Sequence, residues 1–127
     1  MNRLILVCLF LFLGASVNAQ SFKKEIVGKW MIKTVTQDER DVSIKHNPRN
    51  ERYIELFADG TFKSDGYPYG PNTGKYALDK RTLFIDSDSG EEDDSSWRVV
   101  INGNEMYWVG VGSQWAEQFK ISYTKTK

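Results

Sequence analysis

One histidine and one cysteine are all the chain offers in metal-binding or strongly nucleophilic side chains. Cys8 lies in an apolar run near the N-terminus, and His46 lies in a polar stretch beside Asn47-Pro48. A catalytic or metal role for His46 needs converging partners, and no second histidine exists to supply one. A serine triad would have to recruit His46 from a loop. There is no Gly-x-Ser-x-Gly elbow and no phosphate-cradling glycine loop. No catalytic residue and no enzyme activity are expected.

Carboxylates are the next candidates. Asp86, Asp88, Glu91, Glu92, Asp93 and Asp94 place six of them within nine residues, hard oxygen donors of the kind calcium takes. The spacing argues against a helix-flanked calcium loop, where glycine stands sixth and the fifth position supplies an oxygen. Here Gly90 is fifth, and no helical period flanks the run. The segment reads as a solvated acidic turn, with no metal site and no cofactor.

The remaining chemistry is aromatic. Trp30, Phe62, Tyr76, Trp97, Trp108, Phe119 and Tyr123 recur at alternating positions. A second group, Tyr67 and Tyr69, sits in the stiff Tyr67-Pro68-Tyr69-Gly70-Pro71-Asn72 loop. Rigid aromatics in a loop either face a ligand or cap a core.

Short strands must position these rings. Period-two alternation marks them at Trp30–Thr36, Arg52–Ala58, Thr61–Ser64, Gly74–Leu78, Thr82–Asp86, Trp97–Ile101, Glu105–Val111 and Gln118–Thr124. Asp59-Gly60 and Asn102-Gly103 are tight hairpin turns. Gln37–Asn50 shows no clear period; it holds a short strand at Val42–Ile44 or lies over one end of the fold. Helices are all but absent. One face collects Trp30, Ile32, Ile54, Leu56, Phe62, Tyr76, Leu78, Leu83 and Ile85, then Trp97, Val99, Ile101, Met106, Trp108, Phe119, Ile121 and Tyr123. The other carries Lys29, Lys33, Glu55, Lys63, Lys75, Arg98 and Lys120. The expected fold is all-β, an eight-stranded antiparallel up-and-down β-barrel around one interior.

The first 19 residues read as a cleaved signal peptide, leaving residues 20–127 as one domain. Arg3 precedes the apolar run Leu4–Leu13, and Val17 and Ala19 stand at the −3 and −1 positions. A ten-residue helix spans roughly 15 Å, about half of a bilayer core, so no retained anchor is expected. Bulky Ile5-Leu6-Val7 before Cys8 argue against a lipid anchor. A mature chain without cysteine has no disulfide, which suits a bacterial periplasm or exterior. With the leader gone, Arg3 leaves the 17 basic residues, setting 16 against 17 acidic ones. That balance gives no basic stripe for phosphates, so no nucleic-acid partner is expected.

Several stretches resemble a known family. Ile26-Val27-Gly28-Lys29-Trp30 is similar to the Gly-x-Trp opening of lipocalins. Tyr53 to Phe62, Gly74-Lys75-Tyr76-Ala77-Leu78-Asp79, Thr82-Leu83-Phe84-Ile85 and Phe119-Lys120-Ile121-Ser122-Tyr123 resemble the short lipocalin-like domains of exported bacterial proteins. The resemblance implies the same eight-stranded barrel, often with an apolar interior. The chain departs from full-length lipocalins in being shorter, in lacking a disulfide, and in lacking an arginine after the last strand to stack on the tryptophan. Lys125 is the nearest cation.

Two functions follow. In one, the exported barrel binds a small apolar or aromatic molecule through Trp30, Phe62, Tyr67, Tyr69, Tyr76, Trp97, Trp108 and Tyr123, reached from the end bordered by Tyr67–Asn72. The inward face then offers no charge, only the Tyr76 and Tyr123 hydroxyls, so binding should barely depend on salt. In the other, seven large rings fill the barrel, and the protein acts through its surface as a periplasmic interaction, structural or inhibitor module. An eight-stranded barrel accommodates either.

Overall fold

Alternation and tight turns fold the chain back on itself at almost every place the sequence marks. The computed structural model describes residues 21–126, so the expected leader and its cleavage site lie outside the described residues. The strands are β1 (Gly28–Gln37), β2 (Arg40–Asp41), β3 (Tyr53–Leu56), β4 (Thr61–Asp65), β5 (Asn72–Asp79), β6 (Thr82–Ser87), β7 (Ser95–Asn102), β8 (Glu105–Gly110) and β9 (Phe119–Lys125). The order is β2-β1-β3-β4-β5-β6-β7-β8-β9, with a further β1–β9 pairing that closes the sheet. β2 is a two-residue appendage on the end of β1. The eight expected strands, β1 and β3 to β9, form a closed antiparallel barrel without free edges.

All the residues expected to face inward lie in the core or pack directly on it. Fully burying a side chain of this size contributes about 1.5–3 kcal/mol, so one interior supplies most of the driving force. β1 departs from simple alternation. Ile32 pairs with Tyr123 and Thr34 with Ser122, a bulge that leaves Lys33 over. The phase then flips, and Val35 is buried where unbroken alternation would bury Thr34.

The helical pieces are short. Residues 21–26 are helical, as are Ser43–His46 and Gln114–Glu117, with a 3-10 turn at Glu91–Asp93. Of the two readings of Gln37–Asn50, the strand at Val42–Ile44 does not form. Ser43 caps back onto β1, its Oγ accepting from Val35 N at 2.9 Å.

The two ends of the barrel differ. One has tight turns at 57–60, 80–81 and 103–104, and helix 21–26 plugs it with Phe22 and Ile26. Trp30 Nε1 donates to the Ile26 carbonyl at 2.9 Å. Lys125 Nζ lies 5.2 Å from the Trp30 ring centroid and donates to the Glu25 carbonyl at 3.3 Å. A lysine thus covers the tryptophan where full-length lipocalins are expected to place an arginine. The other end carries the longer connections at 38–52, 66–71, 88–94 and 111–118.

Candidate functional site

The open end has two unlike walls. Along β7, β8 and β9 the wall is aromatic. Trp97 and Trp108 have centroids 5.4 Å apart, and Trp108 and Tyr123 4.7 Å. Phe119, at the start of β9, meets Trp115 edge-on at 5.3 Å and His46 at 6.0 Å. Trp97 Nε1 donates to Ser95 Oγ at 2.8 Å, whereas buried Trp108 Nε1 has no partner. Tyr123 is fully enclosed, and burial pushes its phenol pKa well above the ordinary value against the pull of Arg52.

The wall formed by β3 to β6 is polar near the mouth. Ser64 faces Asn72 across the β4–β5 ladder, and Asn72 Nδ2 donates to Ser87 Oγ at 2.9 Å. Arg52 continues the parity of Ile54 and Leu56 one turn of the pleat towards the mouth. Its carbonyl accepts from Ile32 N at 3.0 Å, and Ile32 stands opposite Tyr123. Arg52, Ile32 and Tyr123 therefore occupy one level of the barrel. The expectation of an uncharged inward face is corrected by this arginine.

Arg52 is held by few contacts. Nη1 donates to the His46 carbonyl at 2.9 Å, and the guanidinium lies 4.4 Å from the Tyr69 ring centroid. The Tyr69 hydroxyl is 2.6 Å from His46 Nδ1. Burial lowers the Arg52 pKa, partly offset by the Tyr123 and Tyr69 phenols. Burial likewise lowers the pKa of His46, with Lys45 and Arg52 adding to the effect. Among the described residues the one ion pair is Lys33 with Glu105, at 3.6 Å on the surface.

Two spaces adjoin these walls. An open cleft of about 890 Å³ is bordered by Ile85, Trp97 and Phe119 of the barrel, by Tyr69, Trp115 and Ala116 of the loops, and by the acidic rim Asp86 and Glu92 to Asp94. A smaller one of about 300 Å³ is lined by Arg52, Ser64, Asp65, Tyr69, Asn72 and Asp93. Tyr69 borders both. Both volumes fall within or at the edge of the range of small-molecule sites.

The expected binding residues divide accordingly. Tyr69 and Trp97 line the large cleft, with Trp108 and Tyr123 stacked behind Trp97. Trp30 and Phe62 are buried in the core. Tyr76 turns towards the closed end and donates to the Phe57 carbonyl at 2.6 Å, so its hydroxyl is already engaged. Tyr67 is exposed beneath Arg49, 4.1 Å from its ring centroid. Arg52, His46, Phe119 and Trp115 were not among the expected residues. The parity shared with Ile54 marks Arg52 in the sequence, whereas Trp115 carries no periodic signal.

The acidic segment binds itself. Asp88 accepts from Thr73 Oγ1 at 2.9 Å, Asp93 from Ser89 Oγ at 2.7 Å and Asp94 from Ser87 N at 2.8 Å. No His, Cys, Asp or Glu cluster arranged for a metal occurs among the described residues, and no helix among them is long and apolar enough to cross a membrane.

Comparison with known proteins matches the model of a lipocalin-like domain over residues 26–108. The crystal structure of a DUF4847 family protein from Bacteroides vulgatus is similar, with a TM-score of 0.56 and 16% identity over 80% of this chain and 94% of that one. At that identity the likeness concerns the fold. The search of curated proteins gives no match.

Proposed function

As this chain belongs to the lipocalin-like domain family, we propose that it is an exported barrel whose open end binds a compact molecule with an apolar or aromatic body. The observation that carries this reading is the asymmetry of the interior. The closed half is centred on Trp30, Leu56, Leu83 and Met106, all at most 1% exposed, with a smaller space of about 460 Å³ at its end beside Tyr76 and Leu78. At the mouth, by contrast, Trp97 and Phe119 remain only partly buried beside a cleft of about 890 Å³. Binding is favoured over turnover because no serine of the cleft is hydrogen-bonded to His46, whose Nδ1 meets Tyr69. Export to a periplasm or beyond rests on the N-terminal pattern.

Titrating small aromatic compounds while following tryptophan emission tests the reading, since Trp97 and Trp115 border the cleft. Emission should shift or quench saturably, and Trp97→Leu should weaken the effect. Native mass spectrometry of protein from its own host should show a bound small molecule and an N-terminus at Gln20. No saturable change with any compound, and no bound mass, would leave the surface-acting module. That second reading is favoured by Val100 and Tyr107, which are exposed on the outer wall.

A further inference from the structure

Arg52 is a cation placed inside a barrel mouth, and it makes no ion pair among the described residues. It lies beside Ile32, which faces Tyr123 across the next ladder, so its Cα is two strand spacings from that of Tyr123, roughly 10 Å. Both side chains are long enough to share the space between. One Nη1 proton goes to the His46 carbonyl, leaving the rest of the five-donor fork available.

The neighbouring carboxylates are turned to other tasks. Asp65 accepts from Gly66 N at 2.7 Å, and Asp93 from Ser89 Oγ at 2.7 Å. Neither is in ion-pair contact with Arg52 among the described residues. The Tyr123 hydroxyl makes no hydrogen bond among the described residues. Trp108 Nε1, its ring 4.7 Å from that of Tyr123, is a buried donor without a partner. Buried His46 Nε2 also lacks a partner, its role set by the tautomer; Arg52 and Trp108 Nε1 are donors only, and buried donors call for an acceptor.

Resting on the proposed binding function, we infer that the ligand is an amphiphilic monocarboxylate, its carboxylate held by Arg52 and its body lying against Trp97 and Phe119. Arginine recognises a carboxylate through two parallel charge-assisted bonds. One arginine neutralises one charge. The acidic rim of Asp86 and Glu92 to Asp94 repels a second negative charge, so phosphate monoesters are disfavoured. The polar and aromatic walls, joined at Tyr69, match the two ends of such a molecule.

Matched pairs separate carboxylate recognition from apolar binding. Calorimetric titrations would compare 2-naphthoate with 2-naphthamide and octanoate with octanamide, at neutral pH and at low and high salt. In at least one pair the acid should bind about tenfold tighter or more, as expected for a hydrogen-bonded charge. Its advantage should shrink with salt and vanish in Arg52→Met, with partial return in Arg52→Lys. If Arg52→Met fails to fold, the Arg52 Nε–H resonance of the unmodified protein serves instead, moving with the acid and not with the amide. Acid and amide binding equally, with that resonance unmoved, overturns the carboxylate inference and leaves apolar binding standing. Binding of 2-naphthyl phosphate as tight as naphthoate overturns the limit to one charge. No binding by any of these compounds overturns the inference together with the proposed function.

Discussion

Trp30 joins the packed end of the barrel to the helix that plugs it, and its removal should be felt by both. The side chain is 0% exposed, its Nε1 donates to the Ile26 carbonyl at 2.9 Å, and Lys125 covers its ring. Truncating a buried tryptophan to alanine costs about 3–5 kcal/mol in lost contacts and cavity. The Ile26 carbonyl, inside the same packed end, loses its donor, which adds about 1–3 kcal/mol if water does not reach it. For a domain of this size each kcal/mol lowers the melting point by roughly 4 °C. Trp30→Ala should therefore melt at least about 12 °C below the parent, a large part of a typical total stability of about 5–15 kcal/mol. Trp30→Phe keeps most of the contact area and loses the hydrogen bond, so it should fall between the two. Circular dichroism melts and urea titrations measure the loss, and limited trypsin digestion at Lys23 and Lys24 reports whether residues 21–26 have undocked. If Trp30→Ala melts within a degree or two of the parent, or if the helix stays protected, the closed end is not organised around this ring.

Gly74 lies in β5 where an added Cβ would collide with the Asp86 carbonyl and come within 2.7 Å of Phe62 Cε1. Gly74→Ala should destabilise by about 1–3 kcal/mol through overpacking, lowering the urea midpoint with little change in slope; unchanged stability would mean the strand shifts freely. His46 has a folded pKa below its ordinary 6.5, chiefly through burial. Below pH 6.5 the unfolded chain then binds more protons than the folded one, so stability falls as pH drops through that value towards the lower folded pKa. Melting points between pH 7.5 and about 5.5, above the ordinary carboxylate range, should show this decline in the parent and a flatter profile in His46→Gln. Identical profiles would discount His46 as its source.

The strands were legible because one interior imposes one rule. Each of the eight needed only alternation and a turn, and the inward residues from Trp30 to Tyr123 followed from parity. The bulge at Lys33 was not legible, since it arises from how β1 is shared between β3 and β9 and leaves no mark in local sequence. Val35 was lost with it. Residues 21–26 escaped for a different reason: Phe22 and Ile26 make one apolar ridge in a single helical turn and a half, too short to show a period beside the adjoining strand. In the site, the parity of Ile54 extended by two residues reaches Arg52, which the expected inward series did not include. Tyr76 had the right parity and the wrong direction, because its long side chain leans towards the closed end, where the Phe57 carbonyl accepts its proton.

The mouth also shows where backbone is arranged for something other than burial. Gly110 ends β8 at a point where a Cβ would strike the Ala116 carbonyl and meet its carbon at 2.6 Å, so only a bare backbone lets the Gln114–Glu117 turn settle there. Ser113 caps that turn, its Oγ accepting from Ala116 N at 3.0 Å. The result is to hold Trp115 beside Phe119 while leaving it 64% exposed. A ring so exposed recovers little of the burial energy a tryptophan offers, and a smaller polar residue would satisfy the turn equally well. The close glycine contact and the cap fix the turn, and under the proposed function the exposed ring is the surface a ligand would cover. Helix 21–26 closes one end around Trp30, and under the proposed function the other end, bearing Trp97, Trp115 and Phe119, is where a ligand would bind.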